Sequence, residues 1–437
     1  MLRQWMVRCQ SRPRGVLCFC ALLLAVQVGP WWYSSIDSTG YLSLARSMAR
    51  GGGPTNLGSP LWWYAPGYPA LISPLFLLGE RPFLAISVCQ WLLAVGLMLG
   101  VYRWARHIVA DAAIWFAALV IINHGFCIHF RRPLSETAFM CFLIWTINAL
   151  HGLAGEARPA RFGLRLSGCT VLLVALCAIR PVGIMLVPAF AVWAWFAVRG
   201  RTIGWRRAIT ASLVVSLAAG APVAGFVAHE RALAAELGGR SYSDEFHDAV
   251  RSPLESYSRG AQLCVSDIGR VCIPGLFKSH GMPGNWIDPN MLIHVPFFAV
   301  ICLGWWRWRR HDNDLYQWYV PFYVLLIAAH AMDTGARLML PLLPALLICV
   351  WFALPPVGER RQAVIAVSLA VQLVVAVSYW LAFDLPRVRR YDQQWPAVEA
   401  MARRLAADES PRLGAEVPHE VKLMLELALD RPVQQRR

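Results

Sequence analysis

The stretch Trp31–Glu80, WWYSSIDSTGYLSLARSMARGGGPTNLGSPLWWYAPGYPALISPLFLLGE, decides how the rest of the chain is read. It follows an apolar segment and holds the first acidic residue of the chain, Asp37. An aspartate placed where an apolar helix leaves the bilayer is costly, which makes it a functional candidate by default. After it, Tyr41, Leu42, Leu44, Ala45, Met48 and Ala49 recur at helical spacing, with Arg46 and Arg50 between them. That spacing predicts an amphipathic helix lying along the membrane surface. Gly51-Gly52-Gly53-Pro54 ends it. The proline- and aromatic-rich run Leu61–Pro69 leads into Ala70–Leu78, which is apolar but too short to span.

Composition supports a membrane setting. The 437 residues are 57% hydrophobic and only 15% charged, with a mean hydropathy of +0.46. Soluble domains carry about 25% charged residues. The net charge of +15 does not point to nucleic acid, because the arginines fall in short clusters between apolar runs. The N-terminal arginines Arg3, Arg8, Arg12 and Arg14 precede an apolar core, Val16–Val28, expected to be an uncleaved first span.

The expected fold is an all-α integral membrane protein with about eleven transmembrane helices and amphipathic helices in the first outer loop. The spans are read at roughly 15–33, 83–102, 112–129, 134–152, 166–180, 182–198, 208–228, 291–306, 318–332, 338–354 and 362–383. They form one domain, 1–383, with outer loops 34–82 and 229–290 and a short outer tail, 384–437. With the N-terminus in the cytoplasm, every predicted inner loop is basic: Arg103 and Arg106; Arg158, Arg161 and Arg165; Arg199, Arg201, Arg206 and Arg207; Arg307, Arg309 and Arg310; Arg360 and Arg361. That is the positive-inside pattern.

The unusual charges then gather on the outer side. Asp37 is either a helix N-cap or a functional carboxylate near the membrane plane. Ser135 and Glu136 open the fourth span, as a capping arrangement or as part of a site. Arg131 and Arg132 either pair with Glu136, hold a phosphate or snorkel to the interface. Arg337 opens Arg-Leu-Met-Leu-Pro341-Leu-Leu-Pro344, where prolines inside a span suggest a helix shaped around a cavity. Its guanidinium is either an interfacial anchor or part of a site at the mouth of that cavity. Asp333 is a possible salt-bridge partner for it, with His330 nearby. Arg180-Pro181 is a further outer arginine. Tyr41, Tyr64 and Tyr68 are candidates to line a substrate cavity. Cys264 and Cys272, in the large polar loop, are a candidate disulfide. No P-loop, Rossmann fingerprint or metal-ligand spacing is present, so no cofactor is expected with certainty and a divalent metal stays possible.

The pattern Asp37-x-x-x-Tyr41-x-x-x-Ala45, a glycine run, then Tyr64-Ala-Pro-Gly-Tyr68-Pro, resembles the first outer loop of the GT-C glycosyltransferases. These include protein O-mannosyltransferases and aminoarabinose transferases. Pro133-Leu-Ser-Glu136 resembles the family's Ser-Glu at the fourth span. Arg337 and its two prolines resemble the family's Arg-Tyr-x-x-Pro-x-x-Pro, with Leu338 in place of tyrosine. In the tail, Leu427–Pro432 echoes the family's closing motif. The resemblance implies an inverting transfer of a sugar from a polyprenyl-phosphate donor to a glycan, lipid or protein acceptor. It implies Asp37 as base, Glu136 positioning a reactant, and Arg337, with Arg131, Arg132 or Arg180, on the donor phosphate. It further implies a bacterial inner membrane with the active face outward. Ser38 stands where many relatives carry a second acid.

Overall fold

A computed structural model describes residues 10–32, 35–53, 55–57, 64–154, 156, 158–237, 253–273, 291–330, 336–355, 358–406, 412–413, 417, 419–429 and 433–435. Helices account for nearly all of them: α1 Pro13–Ala25, α2 Ile36–Ala49, α3 Gly67–Ile72, α4 Phe83–Val109, α5 Ala113–Ile122, α6 His124–Phe130, α7 Ser135–Ala154, α8 Pro159–Ile179, α9 Leu186–Arg199, α10 Trp205–Leu237, α11 Pro253–Cys272, α12 Met291–His311, α13 Leu315–His330, α14 Leu343–Ala353, α15 Gly358–Tyr379, α16 Leu385–Leu405 and α17 His419–Leu429. Two-residue strands, Arg412–Leu413 and Gln434–Gln435, pair in parallel.

Each of the eleven predicted spans falls on a helix, but not every helix is a full crossing. Among the described residues seven helical stretches are long and apolar enough to cross a membrane, or eight if α6 and α7, bent by 116° to each other, act together. One of the seven, Phe83–Ile122, runs for 40 residues. At 1.5 Å per residue it would be about 60 Å long, twice the hydrocarbon thickness. It is instead a hairpin, because α5 folds back along α4. The reversal sits at Ala110, where the backbone takes a φ of 48°. α1 and α13 are apolar but shorter than the seven. Apolar side chains such as Leu213, Leu217, Val367 and Val374 remain exposed on the long helices, the surface a lipid tail would cover.

The turns between alternate helices meet at one end. Asp314 accepts from Trp104 Nε1 (3.1 Å) and lies 3.1 Å from His151 Nε2. Trp193 Nε1 donates to Asn313 O (3.0 Å), and Arg207 donates to Glu156 O (2.7 Å). The basic loops predicted to be inner all lie at this arginine-rich end. Asp37, Glu136, Arg180 and Arg337 lie at the other.

The large polar loop is not simply peripheral. α11 is amphipathic and buries Cys264, Ile268 and Val271 against the bundle, packing on α12 and α13. Its Gly260 lies so close to the Ala328 backbone that no side chain would fit, and Gly304 of α12 approaches the Cys349 backbone in the same way. Small residues at such crossings let membrane helices approach closely. The predicted disulfide is corrected here. Cys264 and Cys272 are both free thiols on one helix, eight residues and therefore about 12 Å apart along its axis, beyond the reach of an S–S bond.

The tail folds onto the segment that carries Asp37. α16 continues from α15 through a π-turn at Trp380–Asp384. Trp395 packs edge-on against Trp32 and Phe83, and Arg81 pairs with Glu399. Arg46, buried in α2, donates to Leu427 O of α17 (2.6 Å). Met424, Leu425 and Leu427 are wholly buried. The segment carrying Asp37 is thus clamped from the far end of the chain.

Candidate functional site

Four charged side chains, from four distant places in the sequence, form one chain of ion pairs. Arg337 Nη1 pairs with Asp37 Oδ2. Arg337 Nε lies 3.0 Å from Glu136 Oε1, and Arg180 Nη2 donates to the same oxygen at 2.7 Å. The order Asp37–Arg337–Glu136–Arg180 alternates in sign and sums to zero. Glu136 is 2% exposed and Arg180 12%, while Arg337 and Asp37 are each about a quarter exposed, at 25% and 26%. The chain of charges therefore runs from the protein interior toward its surface.

Local sequence explains each placement. Ser35 is the N-cap of α2, and Ser38 reciprocates: Ser38 N donates to Ser35 Oγ (3.2 Å) and Ser35 N to Ser38 Oγ (2.8 Å). Trp32 Nε1 also donates to Ser38 Oγ (3.0 Å). The capping alternative for Asp37 is thereby corrected: the cap is Ser35, and Asp37 sits in the first helical turn with its carboxylate turned to Arg337. Ser38, in the position of the second acid, closes the capping box instead. Glu136 lies in the first turn of α7, where the helix dipole favours a negative charge.

Arg180 precedes Pro181, and a residue before proline is pushed into extended backbone. It has φ −149° and ψ 122°, between the end of α8 and a 3₁₀ turn at Pro181–Met185. The helix breaks there, and its side chain turns onto Glu136. Arg337 begins a 3₁₀ segment, Ala336–Leu342. In that geometry Pro341 and Pro344, lacking N–H groups, leave the carbonyls of Leu338 and Pro341 without their local donors. Two tyrosines of α13 supply them: Tyr323 OH donates to Leu338 O (2.7 Å) and Tyr316 OH to Pro341 O. The proline pair therefore does not disorder the segment holding Arg337, because buried hydroxyls hold it from behind.

Aromatic residues wall the cluster. Tyr64 OH donates to Asp37 Oδ1 (3.2 Å). Burial and then the neighbouring Asp37 charge push its phenol above the usual range, so it stays protonated and a donor. Tyr41 OH bonds Ser135 Oγ (3.0 Å), and its ring meets those of Tyr64 and Tyr68 at 4.8 and 5.1 Å. Tyr68 is wholly buried and accepts from Gln90 Nε2 (2.7 Å), so it backs the wall rather than facing open space. Gly67 packs on the backbone of Ala178 and Ile179, just before Arg180. Gly67→Ala is therefore expected to lower stability by about 1–3 kcal/mol and to displace Arg180. Thermal unfolding and a transfer assay would read both effects. Tyr64→Phe removes one donor to Asp37 and leaves the ring. The expected loss is about 0.5–1.5 kcal/mol, or roughly two- to tenfold in rate, with unfolding unchanged.

Other predicted residues lie elsewhere. Glu136 is paired with Arg180 and Arg337; Arg131 Nε instead donates to Gln27 Oε1 (2.7 Å), facing the end of α1. Arg131 and Arg132 line a small pocket with Gln27, Trp31, Trp32 and Gln90, behind the tyrosine wall. The partners of Arg337 are Asp37 and Glu136. Asp333 and the side chain of His330 lie outside the described residues. His129, which the motifs passed over, is close enough to interact electrostatically with Glu136, Arg337 and Arg180. Its signal in the sequence was its place just before Arg131-Arg132-Pro133.

Both carboxylates are neutralised by guanidinium groups, and among the described residues no group of three His, Cys, Asp or Glu side chains converges. This donor set does not fit a metal ion, and no step below is routed through one. What the cluster has to spare is hydrogen-bonding capacity: Arg180 Nη1 and Glu136 Oε2 are buried with no hydrogen-bond partner. A polar group arriving at the cluster can use both atoms.

No family model matches the sequence, and neither does any curated protein. Solved structures do match in fold. ArnT from Cupriavidus metallidurans in the apo state aligns with a TM-score of 0.58 at 14% identity, covering 96% of this chain and 84% of ArnT. The same enzyme bound to undecaprenyl phosphate gives 0.56 at 13%, covering 96% and 85%. The oligosaccharyltransferase AglB from Archaeoglobus fulgidus, in complex with an inhibitory peptide and a dolichol-phosphate, gives 0.56 at 13%. That alignment covers 97% of this chain but only 64% of AglB. A multi-pass helical bundle, a helix carrying Asp37 and a C-terminus folded back onto it together have the fold seen in ArnT and in the matched part of AglB.

Proposed function

We propose that this protein transfers a sugar from a polyprenyl-phosphate donor to an acceptor hydroxyl. The observation that carries the reading is the ion-pair chain Asp37–Arg337–Glu136–Arg180 at one end of this fold, with a buried guanidinium N–H left over. The acceptor oxygen attacks the anomeric carbon, and the bond from that carbon to the phosphate oxygen breaks. The acceptor proton passes to Asp37, and the polyprenyl phosphate departs with the electron pair. In the free protein Arg337 neutralises Asp37. An arriving phosphate competes for Arg337, using it and the spare Arg180 Nη1 as donors, and so releases the carboxylate to act as a base. Arginine forks aimed where negative charge grows are an effective way to lower such a barrier. Glu136 gathers the two arginines on one carboxylate oxygen, so that both can turn to one phosphate.

The positive-inside rule supports a cytoplasmic arginine-rich end, and with it an Asp37 end that faces outward from a bacterial inner membrane in this reading. A lipid-borne donor suits a face with no access to nucleotide sugars. The acceptor is a glycan, lipid or protein. Purified protein incubated with a polyprenyl-phosphate sugar and an extract of acceptors is expected to release polyprenyl phosphate. Translocation of the lipid-linked sugar across vesicles without such release would replace this reading with a flippase.

A further inference from the structure

The arginine-rich end holds a second charged feature, remote from Asp37. A groove of about 700 Å³ opens between α4, α12, α14 and the start of α15, lined by Val109, Arg307, His311, Trp351, Phe352 and Arg361. Arg307 Nη1 donates to Ala353 O (2.7 Å) and Phe352 O (3.4 Å). Arg361 Nη2 donates to Leu354 O (2.9 Å), and its guanidinium lies over the Trp351 ring at 4.7 Å.

The plain explanation is capping. The last carbonyls of a helix lack donors and carry about half a negative charge, and both arginines reach them at the end of α14. Capping accounts for only part of what is present. Among the described lining residues two guanidinium groups and a histidine stand at this helix end with no carboxylate beside them, and Arg307 and Arg361 lie close enough to repel each other. A guanidinium has five N–H donors in a fork, and among the described residues Arg361 uses one of them, on Nη2. No carboxylate lines the groove among the described residues. Its walls are apolar and aromatic, the lining expected at headgroup depth.

We propose that this groove binds the headgroup phosphodiester of an anionic membrane phospholipid. The forks of Arg307 and Arg361 hold the phosphate oxygens, with His311 beside them, and Val109, Trp351 and Phe352 cover the glycerol end. Basic pockets between helices on an inner membrane face suit this ligand class. The site is independent of the transfer reaction and stands whether or not that reaction is right.

The test is lipid titration of the purified, delipidated full-length protein by native mass spectrometry, with phosphatidylglycerol against phosphatidylcholine. Phosphatidylglycerol is expected to bind more tightly. Arg307→Gln/Arg361→Gln is expected to weaken it about 25-fold, at roughly fivefold per arginine, and to leave phosphatidylcholine unchanged. Arg361→Lys keeps the charge and is expected to retain most of the binding, which separates a lost site from a lost fold. Arg103→Gln/Arg106→Gln, exposed arginines at the same end but outside the groove, is expected to change nothing. Wild-type affinity in the double glutamine variant would overturn the proposal. So would equal weakening by the Arg103/Arg106 pair, which would mean a diffuse basic belt. Displacement of the lipid by equimolar inorganic phosphate would also overturn it, in favour of a free-anion site.

Discussion

Asp37→Asn is expected to lower sugar transfer by about 10²–10⁴-fold, the usual contribution of a positioned general base. Folding is expected to survive. Asp37 is 26% exposed, and Arg337, its partner, keeps Glu136 at 3.0 Å when the charge on Asp37 is gone. The amide also keeps an oxygen for Tyr64 OH, which donates to Asp37 Oδ1. A partly exposed pair of this kind contributes on the order of 1 kcal/mol or less. The effect should therefore fall on turnover and not on unfolding temperature. Donor binding should hold or tighten, because Arg337 no longer has to leave a carboxylate to reach the phosphate. Release of polyprenyl phosphate, donor affinity and thermal unfolding measured on one preparation would separate the three. A variant with full turnover would remove Asp37 from the mechanism, and one that loses transfer only because it unfolds would reduce it to a structural anion.

The parts legible in the sequence were those written in one local stretch. The spans come from apolar runs, the two ends of the bundle from the arginine clusters, and Asp37, Glu136 and Arg337 from short motifs. What joins those three is not local. Arg337 meets Asp37 across 300 positions, and no periodicity encodes that contact. Arg180 carried the weakest signal, a lone Arg-Pro, yet it is the partner of Glu136, because the backbone before a proline turns its side chain inward. Arg131 and Arg132 looked stronger as a doublet, but the bend between α6 and α7 carries Arg131 to Gln27. The two cysteines suggested a bridge only while their segment was read as a loop. α11 looked too polar to span, since half of its surface is polar, but the other half is buried. Tyr316 and Tyr323 gave no signal at all, because their role exists only opposite the carbonyls that Pro341 and Pro344 leave open.

Glu136→Gln is expected to produce the largest loss of stability of any single change at this site. Glu136 is 2% exposed, and one of its oxygens serves both Arg180 and Arg337. Removing its charge leaves two guanidinium groups, one of them almost wholly buried, with only Asp37 to offset them. Uncompensated buried charges of this sort cost about 3–5 kcal/mol. Because the cost lies in the orphaned partner, removing that partner too should recover much of it. Arg180→Met keeps the length of the side chain against Phe139, over which the guanidinium now lies at 6.0 Å. The double variant Glu136→Gln/Arg180→Met is expected to regain at least half of the lost stability, with Arg337 still paired to Asp37. It should nonetheless remain inactive, because the phosphate then loses both Arg180 and the carboxylate that fixes Arg337. Thermal or denaturant unfolding of the four proteins in one double-mutant cycle gives the coupling directly. Additive losses would mean that Glu136 and Arg180 do not depend on each other, and the ion-pair chain would not be the unit that builds the site. Recovery of stability together with recovery of transfer would show that the pair serves the fold alone, leaving Asp37 and Arg337 to carry the chemistry.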